Sequence, residues 1–214
     1  MPDAKIMVLV SGNGTNLQAL IDADKRGELT GEAASTGGNF TVSKIALVVS
    51  DRPEAYALER AKKAGIPAIA IDLDKNSVRE ERRQALSDRI LNLAEAHNID
   101  LIVFAGFLWI LTGRIIEAYA GRMINLHPAL LPKYGGKGMH GERVHRTVLE
   151  AGETESGCTI HLVDEGTDTG PILIQRRVPV LPGDSPGSLA ERIHKEEHIA
   201  IVEGVKIMSA KLFS

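Results

Sequence analysis

Short apolar runs alternate along the chain with longer stretches of helical spacing. Ile6–Val10, Ile45–Ser50, Ala68–Ile71 and Leu101–Phe104 predict strands, followed in turn by helices over Leu17–Ala23, Glu54–Ala64, Val78–Asn98 and Gly113–Ala120. That alternation predicts an α/β fold, a mostly parallel twisted sheet with helices on both faces. Local punctuation points the same way: Ser77 and Glu80 stand at capping-box spacing, Gly65 follows a helix, and Pro53 sits just inside one. Further on come a short strand at Met123–Leu126, a long loop with glycine and proline, and a helix at Val144–Glu150. Strands at Cys158–Val163 and Ile172–Val180 follow, then a last helix from about Ser188 that packs through Leu189, Ile193, Ile201, Val205 and Met208. Gly31–Asn39, small and polar, reads as a surface excursion. Ile115, Ile116 and Tyr119 form an apolar face that would suit either the core or a homodimer contact, and the core is the preferred reading.

Composition narrows the function classes. The 214 residues are 43% hydrophobic and 25% charged, and a single α/β domain can hold them all. The longest apolar-rich run, Leu101–Leu111, is too short to span a bilayer. A net charge of −3 and a pI near 6.2 give no footprint for a nucleic-acid partner, so any phosphate bound should be small. The start, Met1 to Lys5, lacks the marks of a signal peptide, and the expected location is the cytoplasm. The lone cysteine, Cys158, lies in a strand-like run and reads as a packed thiol.

Two segments carry candidate chemistry. The first strand runs into Ser11-Gly12-Asn13-Gly14-Thr15-Asn16 directly before a helix, so backbone N–H groups and the positive helix end converge where an anion could sit. The loop is neither the dinucleotide pattern, since no third glycine follows until Gly27, nor a Walker loop, which needs Lys-Ser/Thr. The same residues would also make a tight strand-to-helix turn capped by Asn16. Asn125-Leu126-His127-Pro128 ends a predicted strand, and strand ends of open parallel sheets are where ligands bind. Alternation puts Asn125 and His127 on one side, a carboxamide able to hold an oxyanion beside an imidazole able to pass a proton. A buried structural histidine is the competing reading. The loop Asp164–Pro171 offers three acids, Asp164, Glu165 and Asp168, one of which could orient that histidine. His194-Lys195-Glu196-Glu197-His198 matches the H-x-x-E-H zinc pattern, but only Glu203 follows as a carboxylate, and the polar edge of a helix accounts for it.

Taken in order, Ser-Gly-Asn-Gly-Thr-Asn, Ala-Gly-Phe-x-x-Ile-Leu, Asn-x-His-Pro-x-Leu-Leu-Pro and Asp-x-Gly-Pro-Ile resemble the folate-dependent formyl transferases, in their glycinamide ribonucleotide branch, over nearly the whole chain. The resemblance implies one Rossmann-like formyl transferase domain over 1–214, with a phosphate-binding half to about 105 and a folate-binding and catalytic half beyond it. It implies Asn125, His127 and Asp168 as the catalytic trio, and Gly14, Thr15, Asn16, Arg79 and Glu197 on the substrate side. Leu108, Trp109, Ile110 and Leu111 would frame the folate, with the loop from Asp164 to Asp168 closing over the pterin. Trp109 stands where such proteins often carry arginine, and Gly135-Gly136 replaces the usual Pro-Gly, which should loosen that loop. The implied reaction uses 10-formyltetrahydrofolate as co-substrate and needs no metal. Its partners would be small molecules alone, with no nucleic acid and no membrane. Protonated His127 and Asn125 would hold the oxyanion, while Asp168 relays the amine proton. A transferase acting on initiator tRNA would carry a further tRNA-binding domain, and a deformylase an N-terminal regulatory one. A folate- or nucleotide-sensing module on the same scaffold is the non-enzyme alternative.

Overall fold

The computed structural model describes residues 3–32, 40–74 and 76–212, with backbone alone for 31, 32 and 40–42. Its elements are β1 (Ala4–Val10), α1 (Thr15–Lys25), β2 (Thr30–Glu32), β3 (Phe40–Ser50), α2 (Tyr56–Lys63), β4 (Ala68–Ala70), α3 (Arg79–Ala96) and β5 (Leu101–Phe104). There follow α4 (Arg114–Ala118), β6 (Met123–His127), α5 (Glu142–Glu150), β7 (Glu155–Leu162), β8 (Ile172–Pro179) and α6 (Pro186–Leu212). The strands form one sheet in the order β2-β3-β1-β5-β6-β7-β8, with β4 also paired to β3. Strands β4, β3, β1, β5 and β6 run parallel; β2, and the β6–β7 and β7–β8 pairs, are antiparallel.

Alternation along the central strands fills both faces. Ile6, Val8 and Val10 of β1, with Leu101 and Val103 of β5, enter one core with α1 and α6. Met7 and Leu9, with Ile102 and Phe104, enter the other with Leu86, Ile90 and Leu91 of α3. The register between β1 and β3 shifts at Ile6/Met7, so Ile45 and Leu47 pair with consecutive β1 residues while Ala46 bulges. Cys158 is fully buried in the first core, and burial pushes its thiol pKa up to about 12, so it is a packing residue. Ile115 and Tyr119 are buried in the second core and Ile116 packs on it, which settles that face as interior.

Several local expectations give way to other geometry. Pro53 lies before α2, in the turn closed by the Ala55 N–H on the Arg52 carbonyl at 3.1 Å. The capping box does not form: the Ser77 hydroxyl donates to the Asp74 carbonyl at 2.9 Å, and Val78 precedes α3 without a side-chain cap. Gly14, in the left-handed region at φ 75°, precedes α1, so Asn16 lies inside the helix and does not cap it. Strand β2 was hidden by its polarity; Gly31 and Glu32 belong to it, while the rest of the expected excursion, residues 33–39, lies outside the described residues. Among the described residues no helix is long and apolar enough to cross a membrane.

Candidate active site

The chain leaves β1 for β3 on one side and later crosses to β5 on the other, so the carboxyl ends of β1 and β5 form the crevice where open parallel sheets bind ligands. Two bonds stitch those ends together. The Ser11 N–H donates to the Gly106 carbonyl at 3.2 Å, and the Leu108 N–H donates to Ser11 Oγ at 3.0 Å. The phosphate-type loop and the Gly106–Leu111 segment therefore share one wall.

Strand β6, next to β5, delivers the Asn-x-His pair. Ile124 and Leu126 point into the core, which sends Asn125 and His127 to the opposite face. Pro128 ends the ladder, and the chain turns back under the control of its neighbours. Thr159, opposite His127, donates to the Ala129 carbonyl at 2.6 Å and accepts from the Leu131 N–H at 3.1 Å, while Gln175 donates to the Leu131 carbonyl at 2.8 Å. The returning chain brings the Tyr134 carbonyl to 2.7 Å from His127 Nε2.

The loop between β7 and β8 supplies Asp168. Asp164 Oδ1 accepts from the Gly166 N–H at 3.0 Å and from the Thr169 hydroxyl at 2.7 Å, which folds the loop from inside. Asp168 Oδ2 lies 3.5 Å from His127 Nδ1 and accepts from the Gly136 N–H at 2.9 Å. Asp168 Oδ1 lies 3.4 Å from Asn125 Nδ2 and 3.5 Å from His161 Nε2. Both residues that contact the His127 ring, Tyr134 and Asp168, hold φ at 58°, a conformation that costs energy outside glycine and collects at functional sites. Gly135 and Gly136 do not slacken the loop. A Cβ at Gly135 would stand 2.6 Å from Leu131 Cδ2 and 3.2 Å from Asp168 Cβ, so the bare backbone is what lets this segment lie on the aspartate.

The hydrogen bonds also set the proton positions. A carbonyl only accepts, so His127 Nε2 carries its proton toward Tyr134 and Nδ1 is the nitrogen that gains or loses one, facing Asp168. Burial lowers the His127 pKa below the ordinary histidine value, with the Asp168 charge opposing that shift in part. The resting ring is therefore neutral at neutral pH, which modifies the expectation of a protonated His127. Burial alone would raise the Asp168 pKa, but the His161 ring, the His127 charge and the Gly136 N–H together hold it below the usual carboxylate range. His161, opposite Asn125 on β7, is the site residue that sequence reasoning missed. Its Nδ1 donates to the Leu162 carbonyl at 2.8 Å, and Nε2 lies 3.1 Å from Asn125 Nδ2 and 3.5 Å from Asp168 Oδ1, so the ring is wedged between carboxamide and carboxylate. The alternation Thr159, His161 on a strand beside β6 was the available signal.

Of the residues expected on the substrate side, Asn16 is buried and donates to Glu197 Oε2 at 3.1 Å, across from α1 to α6. Burial raises the Glu197 pKa, with His194 and Asn16 opposing. Thr15 is exposed at the start of α1, and Gly14 packs so closely on α2 that a Cβ would stand 2.6 Å from Ala57 Cβ. The Arg79 guanidinium lies 5.8 Å from the Trp109 ring centroid. Trp109 donates its indole N–H to Asp51 Oδ2 at 2.9 Å, and Leu108 beside it is 43% exposed, a bare apolar surface suited to a flat ligand. Arg83 holds the carbonyls of Ile110 and Leu111 at 2.8 and 3.2 Å, and the Leu111 side chain is in the core, so its part in any pocket falls to its backbone.

His194 is half exposed, and among the described residues no three His, Cys, Asp or Glu side chains are grouped to hold a metal ion. His145 of α5 is buried, its Nδ1 has no hydrogen-bond partner among the described residues, and burial drops its pKa to about 4. A histidine kept neutral by folding destabilises the fold as pH falls from its unfolded value near 6.5 toward 4, because only the unfolded chain gains the proton. The penalty grows to about 3 kcal/mol at the acid end. His145→Gln is therefore expected to lose less stability than the wild type between pH 7 and pH about 4.5 in urea titrations; equal losses would show that His145 is not the group responsible.

Known proteins resemble this chain over nearly its whole length. The formyl transferase family matches residues 4–205. The trifunctional purine biosynthetic protein adenosine-3 of Drosophila melanogaster is 42% identical over 98% of this chain, which spans only 15% of that relative's length. Phosphoribosylglycinamide formyltransferase of Haemophilus influenzae is 40% identical over 91% of this chain and 82% of its own. The crystal structure of glycinamide ribonucleotide transformylase 1 from Symbiobacterium toebii superposes with a TM-score of 0.83 at 36% identity, covering 98% of this chain and 89% of that one. A family match spanning residues 4–205, with a relative 40% identical over most of both chains and a closely superposing solved structure, places the protein in the formyl transferase family, among the phosphoribosylglycinamide formyltransferases.

Proposed function

We propose that this chain transfers the formyl group of 10-formyltetrahydrofolate to the amine of glycinamide ribonucleotide, giving the formylated ribonucleotide and tetrahydrofolate. The observation that carries the reading is the convergence of Asn125 and His127 on Asp168, at 3.4 and 3.5 Å, at the carboxyl edge of the sheet. Gly14, Thr15 and Asn16 would receive the ribonucleotide phosphate at the start of α1, with Glu197 beside Asn16. Leu108, Trp109 and the backbone of Ile110 and Leu111 would wall the folate, with Asp164 shaping the opposite loop.

In this reading the amine attacks the formyl carbon and the carbonyl electron pair moves onto oxygen. The proton shed by the amine passes to Nδ1 of His127, directly or by way of the Asp168 carboxylate. The imidazolium so formed and the Asn125 carboxamide face the oxyanion, and the ionised Asp168 balances the new charge. Collapse expels the folate nitrogen, which takes the same proton. Holding both reactants against one wall supplies orientation.

The neutral ring is the working form, so kcat/KM should fall as pH drops through a value below about 6.5, the ordinary histidine pKa, while Asp168 stays ionised. An acid limb centred above that value would contradict the neutral resting state of His127. The acceptor is tested by following folate release spectrophotometrically with glycinamide ribonucleotide, with water alone and with aminoacylated initiator tRNA. Release that requires the ribonucleotide supports the proposal; release with water alone would make the chain a deformylase, and ligand binding without release would make it a sensor.

A further inference from the structure

The phosphate-type loop is held by a residue from the next helix. Arg60 of α2 donates from Nε to the Asn13 carbonyl at 2.8 Å and from Nη2 to Asn13 Oδ1 at 2.9 Å, so its fork grips one residue by both its main chain and its side chain. A third bond, from Nη1 to Gln18 Oε1 at 3.2 Å, ties the same guanidinium to the first turn of α1. The ring of Tyr56 stacks 4.9 Å from the guanidinium carbon, and one turn earlier than Arg60 the Ala57 N–H donates to the Gly12 carbonyl at 3.1 Å. Helix α2 thus grips the loop at Gly12, Asn13 and Gly14.

Because Asn13 Oδ1 accepts from Arg60, the carboxamide is oriented and its two N–H donors turn away from the guanidinium, on an exposed residue inside the loop. We infer that Asn13 is a further direct donor to the substrate phosphate, and that Arg60 is the positioning residue that aims it and shapes the loop ahead of binding. The guanidinium charge adds to the pull on a dianion without touching it. This inference rests on reading Ser11–Asn16 as the phosphate site.

The test is steady-state kinetics with each substrate varied in turn, with inorganic phosphate as a competitor of the ribonucleotide, on wild type, Arg60→Met, Asn13→Asp and Thr15→Ala. Arg60→Met is expected to raise the KM for glycinamide ribonucleotide about tenfold and to weaken phosphate inhibition in parallel. Its kcat and folate KM should stay within about twofold of wild type, since binding is lost equally in ground and transition states. Asn13→Asp keeps both acceptors for Arg60 yet sets a carboxylate against the phosphate. It should raise the ribonucleotide KM at least as much with no fall in Tm. Wild-type KM and phosphate inhibition in either variant overturns the inference. So does a fall in Tm in Arg60→Met accompanied by equal loss toward both substrates. Thr15→Ala separates this from the parent reading: if ribonucleotide binding weakens in Thr15→Ala but not in Arg60→Met, the inference fails and the phosphate site stands. If phosphate does not compete in wild type and Thr15→Ala is silent, the phosphate site itself is misplaced.

Discussion

His127→Ala is expected to lower kcat by roughly 10²–10⁴-fold while leaving the KM for the folate within about threefold. Nδ1 of the imidazole faces the Asp168 carboxylate from a pinned position, with the other ring nitrogen committed to the Tyr134 carbonyl. Alanine also strips the Tyr134 carbonyl of its buried donor, which costs about 1–3 kcal/mol of stability, so a second variant is needed. His127→Gln can still donate to that carbonyl but cannot take up the amine proton. Both variants should be similarly slow, and only alanine should lower the Tm. A glutamine variant with near wild-type kcat would remove His127 from the proton path.

Asn125→Ala is the second large expectation, a loss of about 10²–10³-fold in kcat, the range for deleting one donor at a developing oxyanion. In the resting site the carboxamide N–H groups face His161 and Asp168, so the amide is held in place before substrate arrives. His161 should therefore act through Asn125. His161→Phe is expected to slow turnover less than Asn125→Ala, and kcat measured on the two single variants and the double variant checks the link. If the double variant is slower than Asn125→Ala by the full His161→Phe factor, the two residues act independently and the positioning role fails.

How much of this was legible in the chain depended on the kind of signal. Strands β1 and β5 are apolar on both faces, and their positions followed from that pattern. Asn125 and His127 could be paired from the two-residue period alone. Asp168 could not be told from Asp164 or Glu165 by spacing; it took the motif resemblance to single it out and the structure to show that Asp164 spends its carboxylate on the Gly166 and Thr169 turn. Backbone groups were invisible beforehand, because nothing in the residue types of Tyr134 or Gly136 announces that a carbonyl and an N–H will set the tautomer of His127 and the charge of Asp168. The Gly135-Gly136 pair read as slack for the same reason, since close approach to a neighbouring side chain is a tertiary fact. Arg79 looked like a substrate residue by resemblance, and its place over Trp109 comes from the start of α3 lying against the loop after β5.

The most direct measurement follows an isotopically labelled formyl carbon from 10-formyltetrahydrofolate in a single turnover with glycinamide ribonucleotide, and asks by mass spectrometry where it ends. Direct transfer predicts the label in the ribonucleotide amide, in an amount equal to the tetrahydrofolate formed and with none in free formate. Label in formate, or folate release at the same rate without the ribonucleotide, would contradict the account.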